Sequence, residues 1–144
     1  MPSFPKGGTT LQAIKQVIQH LSSTKRYDRL LRNVQVVSAE PGHCICQLKV
    51  AEEHLNGYGT LHGGFTSTLV DSLTTFAVMS TEAGVPGVSV SLNVNFLKAA
   101  KPGEEIQIDA KVVKHGKTLA FTEAQLTNSD GATLATGQHV KYIA

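Results

Sequence analysis

A glycine-rich stretch followed by an acidic residue is the clearest chemical signal in this sequence. The stretch reads Asn56-Gly57-Tyr58-Gly59-Thr60-Leu61-His62-Gly63-Gly64, and Asp71 follows it. Glycines ahead of a helix let a ligand approach closely and leave backbone N–H groups free, and the helix dipole adds positive potential there. The pattern therefore predicts a site for an anion or an oxyanion, unless the glycines serve only a tight turn.

Asp71 gives this loop a chemical partner. It falls about two turns into a predicted helix, among Leu69, Val70 and Leu73, and by helical phase it points away from the apolar stripe of that helix. A carboxylate among apolar neighbours is costly unless it is paired or solvated in a cleft, and such groups are frequent general bases. The alternative is a carboxylate that faces solvent or binds a neighbouring threonine.

Several further residues are of types that bind polar groups. Ser89 and Asn56 could hold a water molecule or a polar substrate group, although each is also an ordinary strand or turn residue. His62 could donate a hydrogen bond, orient the loop or act as an acid. The basic hairpin loop Lys114–Thr118 suits phosphates through its ammonium and free N–H groups, or it is a solvated turn.

The sequence lacks the patterns of metal and nucleotide chemistry. Its six histidines show no ligand spacing with cysteines or carboxylates. There is no nucleophile elbow, no phosphate-binding loop and no dinucleotide fingerprint. We therefore expect neither a metal nor a cofactor.

The first 33 residues are predicted to form a helical segment. Apolar residues recur at helical spacing from Leu11 to Leu21, Thr9 or Thr10 can cap the start, and a shorter turn is expected around Tyr27–Arg32. This segment, residues 1–33, is expected to pack on a domain of residues 34–144. It carries six Lys and Arg residues against the single acid Asp28. Its cations either face water at the domain edge or mark a membrane-surface helix or a mitochondrial presequence.

From Val34 onward the period changes to that of strands. Two strands precede a long helix predicted over Phe65–Ala83, which is apolar nearly all round and therefore buried. In the strand after it, Val88, Val90, Leu92, Val94 and Phe96 are predicted to face one way and Ser89, Ser91, Asn93 and Asn95 the other. Three more strands follow with short turns. The order predicts an α+β fold, a helix packed on an antiparallel sheet.

Composition limits the function classes. The chain has 144 residues, 41% of them hydrophobic and 17% charged, with a net charge of +2. This excludes a disordered chain, a membrane span and a general nucleic-acid binder. Cys44 and Cys46 alternate in a strand, where disulfide geometry is poor, so we expect reduced thiols and an intracellular protein. The first residues lack the apolar core of a secretory signal.

The stretch from Asn56 through Asp71 resembles the signature of the hotdog-fold acyl-coenzyme A (CoA) thioesterases. The resemblance extends over most of the chain, through segments that read Ser38–Gly42, Glu52–His54, Gly59–Gly64, Thr68–Asp71, Pro86–Val90 and Gly116–Thr122. It implies a hotdog fold, in which a long central helix is wrapped by an antiparallel sheet. It also implies dimers with edge-paired sheets, active sites at the dimer interface, and a tetramer made of two dimers.

The resemblance also implies an activity, the hydrolysis of medium- to long-chain acyl-CoA without a cofactor. The Gly63 N–H would polarise the thioester carbonyl, Asp71 would act as general base on water or as nucleophile, and Ser89 would position that water. Asn56 would orient the thioester or the water, with His62 beside it. The CoA and acyl path would be lined by Ser89, Ser91, Phe96, Lys114, His115, Gly116, Lys117, Thr118 and Leu119. We add Tyr142 as a candidate for this path, although it lies in the C-terminal tail, outside the segments that carry the resemblance.

Two other functions stay open. One is a non-catalytic acyl-CoA-binding or scaffolding protein, which could work with a lipid-transfer partner. The other is an enoyl-CoA hydratase, for which only His62 could serve as the histidine of a proton shuttle. The reduced cysteines favour a cytoplasmic location, and the resemblance together with the basic N-terminus allows an association with mitochondria.

Overall fold

The described chain forms two layers, helices packed on one β-sheet. The computed structural model describes residues 3–144; Met1 and Pro2 of the predicted N-terminal segment lie outside the described residues. The helices are α1 (Thr10–Ser22) and α2 (Gly63–Met79), with short 3-10 turns at Tyr27–Leu31 and Glu52–His54. The strands are β1 (Gln35–Glu40), β2 (His43–Lys49), β3 (Val88–Phe96), β4 (Glu105–His115), β5 (Leu119–Asn128) and β6 (Thr133–Tyr142).

The six strands form a single antiparallel sheet in the order β1-β2-β4-β5-β6-β3. The α+β prediction is therefore confirmed. α2 lies against this sheet, and Leu69, Leu73 and Phe76 on its predicted stripe are buried. Val70 and Val78 on other faces are buried too, as expected for a helix that is apolar nearly all round. The sheet and α2 thus share one core, and α2 is the rigid element that carries Asp71.

The predicted bounds of α2, Phe65–Ala83, are wrong at both ends. The helix begins at Gly63 because the Nδ1 atom of His62 accepts a hydrogen bond from the Gly64 N–H at 2.8 Å and so caps the first turn. It ends at Met79. The hydroxyl of Ser80 donates to the Ala77 carbonyl at 2.8 Å, which satisfies a last-turn carbonyl locally instead of continuing the helix.

The strict alternation predicted for β3 is also wrong. Ser89 pairs with Lys141 and Ser91 pairs with Val140, so Val90 is an extra residue at a β-bulge. Directly paired residues of an antiparallel ladder share a face, and a bulge shifts that alternation by one residue. Ser89 therefore lies on the face that carries Lys141 and is directed towards α2, whereas Ser91 lies on the opposite face.

β3 ends the sheet with an exposed apolar edge. Val88 is 68% exposed, Val90 59% and Phe96 60%. β3 is also nine residues long, and a long apolar edge strand offers unpaired backbone groups to another strand. This edge therefore leaves a row of backbone groups available to a further strand.

The N-terminal helix packs into the same core. Thr9 caps α1 through a capping box with Gln12, which confirms one of the two predicted caps. Ile14 and Val17 are buried in the cluster that contains the α2 and strand residues. Cys44 and Cys46 are free and buried. Among the helices within residues 3–144, none is both long and apolar enough to cross a membrane.

Candidate active site

Asp71 belongs to a polar cluster between α2 and the β6–β3 edge of the sheet. Its side chain is 50% exposed, and its Oδ1 atom lies 3.9 Å from Nε2 of His139, a ring with no exposed surface. The same Nε2 atom lies 2.8 Å from the Ser89 hydroxyl. The bulge at Val90 is what turns Ser89 towards this cluster. Asp71 and Ser89, two residues singled out in the sequence, are thus brought together by a third that was not.

The hydrogen bonds of this cluster fix the protons of His139. The single hydroxyl proton of Thr74 points to the Val70 carbonyl at 2.6 Å, so Thr74 must accept from the Nδ1–H of His139 at 2.8 Å. In the neutral ring Nε2 is then the acceptor, and Ser89 donates its proton to it. The Ser89 oxygen keeps its lone pairs and can only accept from a further partner such as water.

The electrostatics of the cluster keep that arrangement in place. Burial lowers the pKa of His139, and this effect outweighs the opposing influence of Asp71. Burial also lowers the pKa of Lys141, again against an upward influence of Asp71. The Lys141 Nζ atom donates to the Thr75 hydroxyl at 2.9 Å. Because His139 favours its neutral form, Nε2 remains able to accept from Ser89.

His139 and Lys141 were missed by the sequence reasoning, although a signal existed. They stand two apart in β6 and therefore share one face. On that face they follow Gly137 and Ala135, which are small or buried. Two basic residues ending an inward-facing row are unusual, since cations are rarely buried without a partner.

A second cluster lies at the start of α2. The first four N–H groups of a helix lack regular intrahelical acceptors, and in α2 His62 satisfies two of them. Its Nδ1 accepts from the Gly64 N–H, and its carbonyl accepts from the Phe65 N–H at 2.9 Å as well as from Thr66 at 3.0 Å, the first regular bond of the helix. Within residues 3–144 the Gly63 N–H has no acceptor, and it lies at the positive end of the helix. His62 therefore acts here as a cap that leaves one donor free for a ligand.

Asn56 shapes the loop that leads to this donor. Its Oδ1 atom accepts from the Tyr58 N–H at 2.9 Å and the Thr60 N–H at 3.1 Å. Such side-chain-to-backbone bonds fix a tight turn. Asn56, Gly63 and Phe96 line a cleft of about 340 Å³. The Phe96 ring lies so close to Gly63 that an added Cβ would be 3.2 Å from the ring, so a larger residue here requires the ring to shift by a few tenths of an ångström.

His54 holds the loop through a backbone hydrogen bond to His62. It was not predicted as a site residue. Its carbonyl accepts from the His62 N–H at 2.8 Å, and its ring stacks on Phe65 at 4.4 Å between centroids. Burial lowers the pKa of His54. These contacts hold His62, and through it the Gly63 N–H, in place.

The basic hairpin loop lies at the same end of the sheet as Ser89. Leu119 at its end pairs with Tyr142, and Tyr142 pairs in turn with Val88, the residue before Ser89. The predicted extent of the loop is wrong, because Lys114 and His115 belong to β4 and Leu119 to β5, so that only Gly116, Lys117 and Thr118 form the turn. Of these residues, Leu119 lies directly beside Tyr142. Ser91 does not lie on the same face of the sheet as Ser89, because the bulge places it on the opposite face.

The two clusters are too far apart in one chain to act on one bond. Eight residues of helix separate Gly63 from Asp71, a rise of about 12 Å. Along β3, Ser89 and Phe96 are seven residues apart, about 23 Å. Attack on a carbonyl needs reacting atoms within about 3–3.5 Å. A carbonyl held at Gly63 is thus out of reach of Asp71 in the same chain. Residues 3–144 contain no group of side chains that could hold a metal ion.

Comparison with known proteins identifies the family. Residues 58–135 match the family model described as "Thioesterase superfamily". Human acyl-coenzyme A thioesterase 13 is 48% identical over 133 residues, which are 92% of this chain and 95% of that protein. The chain belongs to the thioesterase superfamily. The matched range contains Gly63, Asp71 and Ser89, and the match confirms the resemblance seen in the sequence.

Solved structures of thioesterases share this architecture. The crystal structure of zebrafish thioesterase superfamily member 2 superposes with a TM-score of 0.93 at 46% identity, covering 96% of this chain and 100% of that one. A hypothetical thioesterase of Streptococcus pneumoniae, solved with coenzyme A, has a TM-score of 0.74 at 28% identity, with coverage of 78% and 89%. The predicted hotdog fold is confirmed, and this thioesterase is a member of an enzyme family.

Proposed function

We propose that this thioesterase hydrolyses acyl-CoA, with medium- to long-chain acyl groups, to a free fatty acid and CoA. The observation that carries the proposal is the pairing of a half-exposed carboxylate, Asp71, with a Ser89 hydroxyl whose proton is committed to His139. The free Gly63 N–H supplies a donor for a carbonyl oxygen. The name of the human relative and the coenzyme A in the streptococcal structure agree with this substrate class.

Each active site would be built from two copies of the chain. Antiparallel pairing of the exposed β3 edges of two copies brings the Phe96 end of one strand beside the Ser89 end of the other. The Gly63 cleft of one copy would then meet the Asp71 cluster of its partner. This arrangement removes the separation of about 12 Å that one helix imposes, and a two-fold dimer has two such sites. We extend it to a tetramer of two dimers.

The proton arrangement suggests how the water is held. Asp71 as a carboxylate and Ser89 as an acceptor can each receive one hydrogen of the same water molecule. Both hydrogens are then occupied, and a lone pair is left to attack the thioester carbon. The water oxygen forms the new C–O bond while Asp71 takes its proton. The developing oxyanion is held by the Gly63 N–H. The C–S bond then breaks, and the CoA thiolate leaves and takes the proton back.

The remaining predicted residues have secondary parts in this proposal. Asn56 acts by holding the loop of Gly63, since its amide oxygen is already used by Tyr58 and Thr60. The Lys114–Leu119 loop and Tyr142 would hold the phosphates and the nucleotide of CoA, and Phe96 would line the thioester path. A direct nucleophilic role of Asp71 needs no Ser89 acceptor. The water mechanism accounts for both residues, and we favour it.

The competing functions have less support. A hydratase would use His62 to move protons, yet His62 Nδ1 is engaged as the helix cap. A pure binding protein has no need of an acid placed beside a hydroxyl and a buried imidazole. A lipid-transfer partner remains part of the proposal on the strength of the family resemblance alone. The cytoplasmic location rests on the reduced cysteines, and the association with mitochondria rests on the resemblance together with the basic N-terminus.

The test is release of free thiol from acyl-CoA esters of increasing chain length. Wild type is compared with Asp71→Asn, which keeps the size of a half-exposed side chain and removes the base. A positioned general base contributes roughly 10²–10⁴-fold, so kcat should fall by that factor while KM stays similar. Equal turnover by the variant would contradict the role of Asp71. No release by wild type from any ester would contradict the proposed activity.

A further inference from the structure

The charges of this chain are unevenly distributed. The first 33 residues carry six Lys and Arg residues and one acid, Asp28, a net charge of +5. The remaining 111 residues carry seven Lys and Arg residues and ten acids, a net charge of −3. A charge asymmetry of this kind indicates an interaction surface rather than a contribution to the fold. The proposed reaction does not use any of these N-terminal cations.

Three of the cations form one exposed group, which we call the basic turn: Lys25, Arg26 and Arg29. All three are exposed, and none of the ion pairs among residues 3–144 includes them. Arg32, by contrast, is paired with Glu53. Asp28 is the only acid within the turn. The basic turn therefore presents uncompensated positive charge to whatever approaches it.

The basic turn also has an aromatic residue and a fixed position. Tyr27 lies between Arg26 and Arg29 and is 58% exposed. Its hydroxyl lies 2.6 Å from the Thr68 hydroxyl on α2. Because Thr68 donates its own proton to the Gly64 carbonyl at 2.9 Å, Tyr27 is the donor. The bond holds the basic turn against α2, one helical turn before Asp71.

We propose that the basic turn is a docking surface for anionic phospholipid bilayers. Lys and Arg side chains are attracted to such surfaces, and an exposed tyrosine ring is suited to the headgroup region. A short turn with one aromatic ring and a sequence pI of about 8.6 does not provide the long basic stripe that nucleic-acid binding requires.

The docking would bring the Asp71 face of α2 close to the bilayer. Binding itself does not depend on the enzymatic activity, whereas its use, taking up acyl-CoA that has partitioned into the membrane, rests on the proposed function. More than one basic turn per oligomer would strengthen attachment, because linked contacts act at high effective concentration.

The test measures co-sedimentation with vesicles of phosphatidylcholine alone and of phosphatidylcholine mixed with phosphatidylserine. Wild type should bind only the mixed vesicles, and high salt should weaken binding. Each cation contributes a factor of about five, so Arg26→Gln/Arg29→Gln should bind about 25-fold more weakly. The matched control Lys49→Gln/Lys101→Gln removes the same charge at two other exposed positions and should bind as wild type does.

A second measurement separates this inference from the proposed function. With acyl-CoA in vesicle-free solution, Arg26→Gln/Arg29→Gln should release thiol at the wild-type rate, because neither residue belongs to the proposed site. Failure of all proteins to release thiol counts against the proposed function only. Absence of binding to mixed vesicles, equal loss in the control pair, or full binding by the Arg26/Arg29 pair overturns the docking surface. Binding to an acidic polypeptide but not to vesicles would also overturn it.

Discussion

Two inactive variants should restore activity when they are mixed. Gly63→Pro removes the proposed oxyanion donor, and Asp71→Asn removes the base. Proline is well tolerated at the first position of a helix, because that N–H has no intrahelical acceptor. The extended backbone of His62, with φ −65° and ψ 129°, is the conformation that a residue before proline prefers. Both variants should therefore fold and dimerise.

The recovered activity follows from the distance along α2. Gly63 and Asp71 are about 12 Å apart in one chain, so in the proposed dimer each site combines Gly63 of one copy with Asp71 of the other. In a mixed dimer, the Asp71→Asn chain supplies an intact Gly63 and the Gly63→Pro chain supplies an intact Asp71. One of the two sites is then complete. Random pairing makes half of the dimers mixed, so about a quarter of wild-type activity should return.

The assay is thiol release from an equimolar mixture of the two variants, co-expressed or refolded together. Two different affinity tags isolate the mixed dimers, which should show about half of the wild-type activity per dimer. A second Asp71→Asn preparation in place of Gly63→Pro serves as control and should show no recovery. Purified mixed dimers that are as inactive as either parent would refute a site shared between copies.

Four further predictions concern single elements. Gly63→Pro should lower kcat by about 10²–10³-fold. Gly63→Ala adds the same Cβ beside Phe96 but keeps the N–H, so its kcat should fall far less. Equal losses of kcat in the two variants would show that contact of the Cβ with Phe96, and not the missing N–H, is the cause. Burial lowers the pKa of His139, and only the neutral ring accepts from Ser89, so kcat should fall as the pH drops through that pKa. The pH–rate profile of His139→Gln should lack this fall. A profile identical to that of wild type would exclude His139 as its source. The lowered pKa of His139 also affects the free energy of unfolding, because the unfolded state binds the proton more readily than the folded state. The stabilisation from neutral His139 should be present above the unfolded pKa of about 6.5 and decline below it. Urea titrations at several pH values would measure this. Thr9→Ala should destabilise the protein by about 1 kcal/mol through loss of the α1 cap, and Thr10→Ala, which removes no capping bond, should cost clearly less in the same titration.

Patterns of local period predicted most of the fold. The helical spacing from Leu11 to Leu21 and the apolar character around Leu69 and Leu73 specify helices, because each local pattern must bury its own apolar side. The turn chemistry between strands specified short antiparallel connections. The ends of α2 could not be predicted in the same way. They depend on which side chains bond to the terminal backbone groups, as His62 and Ser80 do.

The site residues also differ in how far the sequence could predict them. The loop before α2 and the acid within it are local in sequence, and their residue types already indicate an anion site and a base. The partner of that acid is not local. His139 lies in the last strand and reaches Asp71 only because the inward face of β6 packs against α2. Ser89 reaches His139 only because a bulge at Val90 reverses the alternation of β3.

By itself, the sequence determined an α+β chain with a glycine loop, a buried helix and an acid on the outer side of that helix. Each of these follows from residues within a few positions of one another, where period and side-chain chemistry suffice. Only the tertiary structure decided which atom accepts the Ser89 proton and which N–H of α2 is free. It also decided that Gly63 and Asp71 cannot meet within one chain. Those outcomes depend on strand order, register and helix rise, which bring together or hold apart residues far separated in sequence.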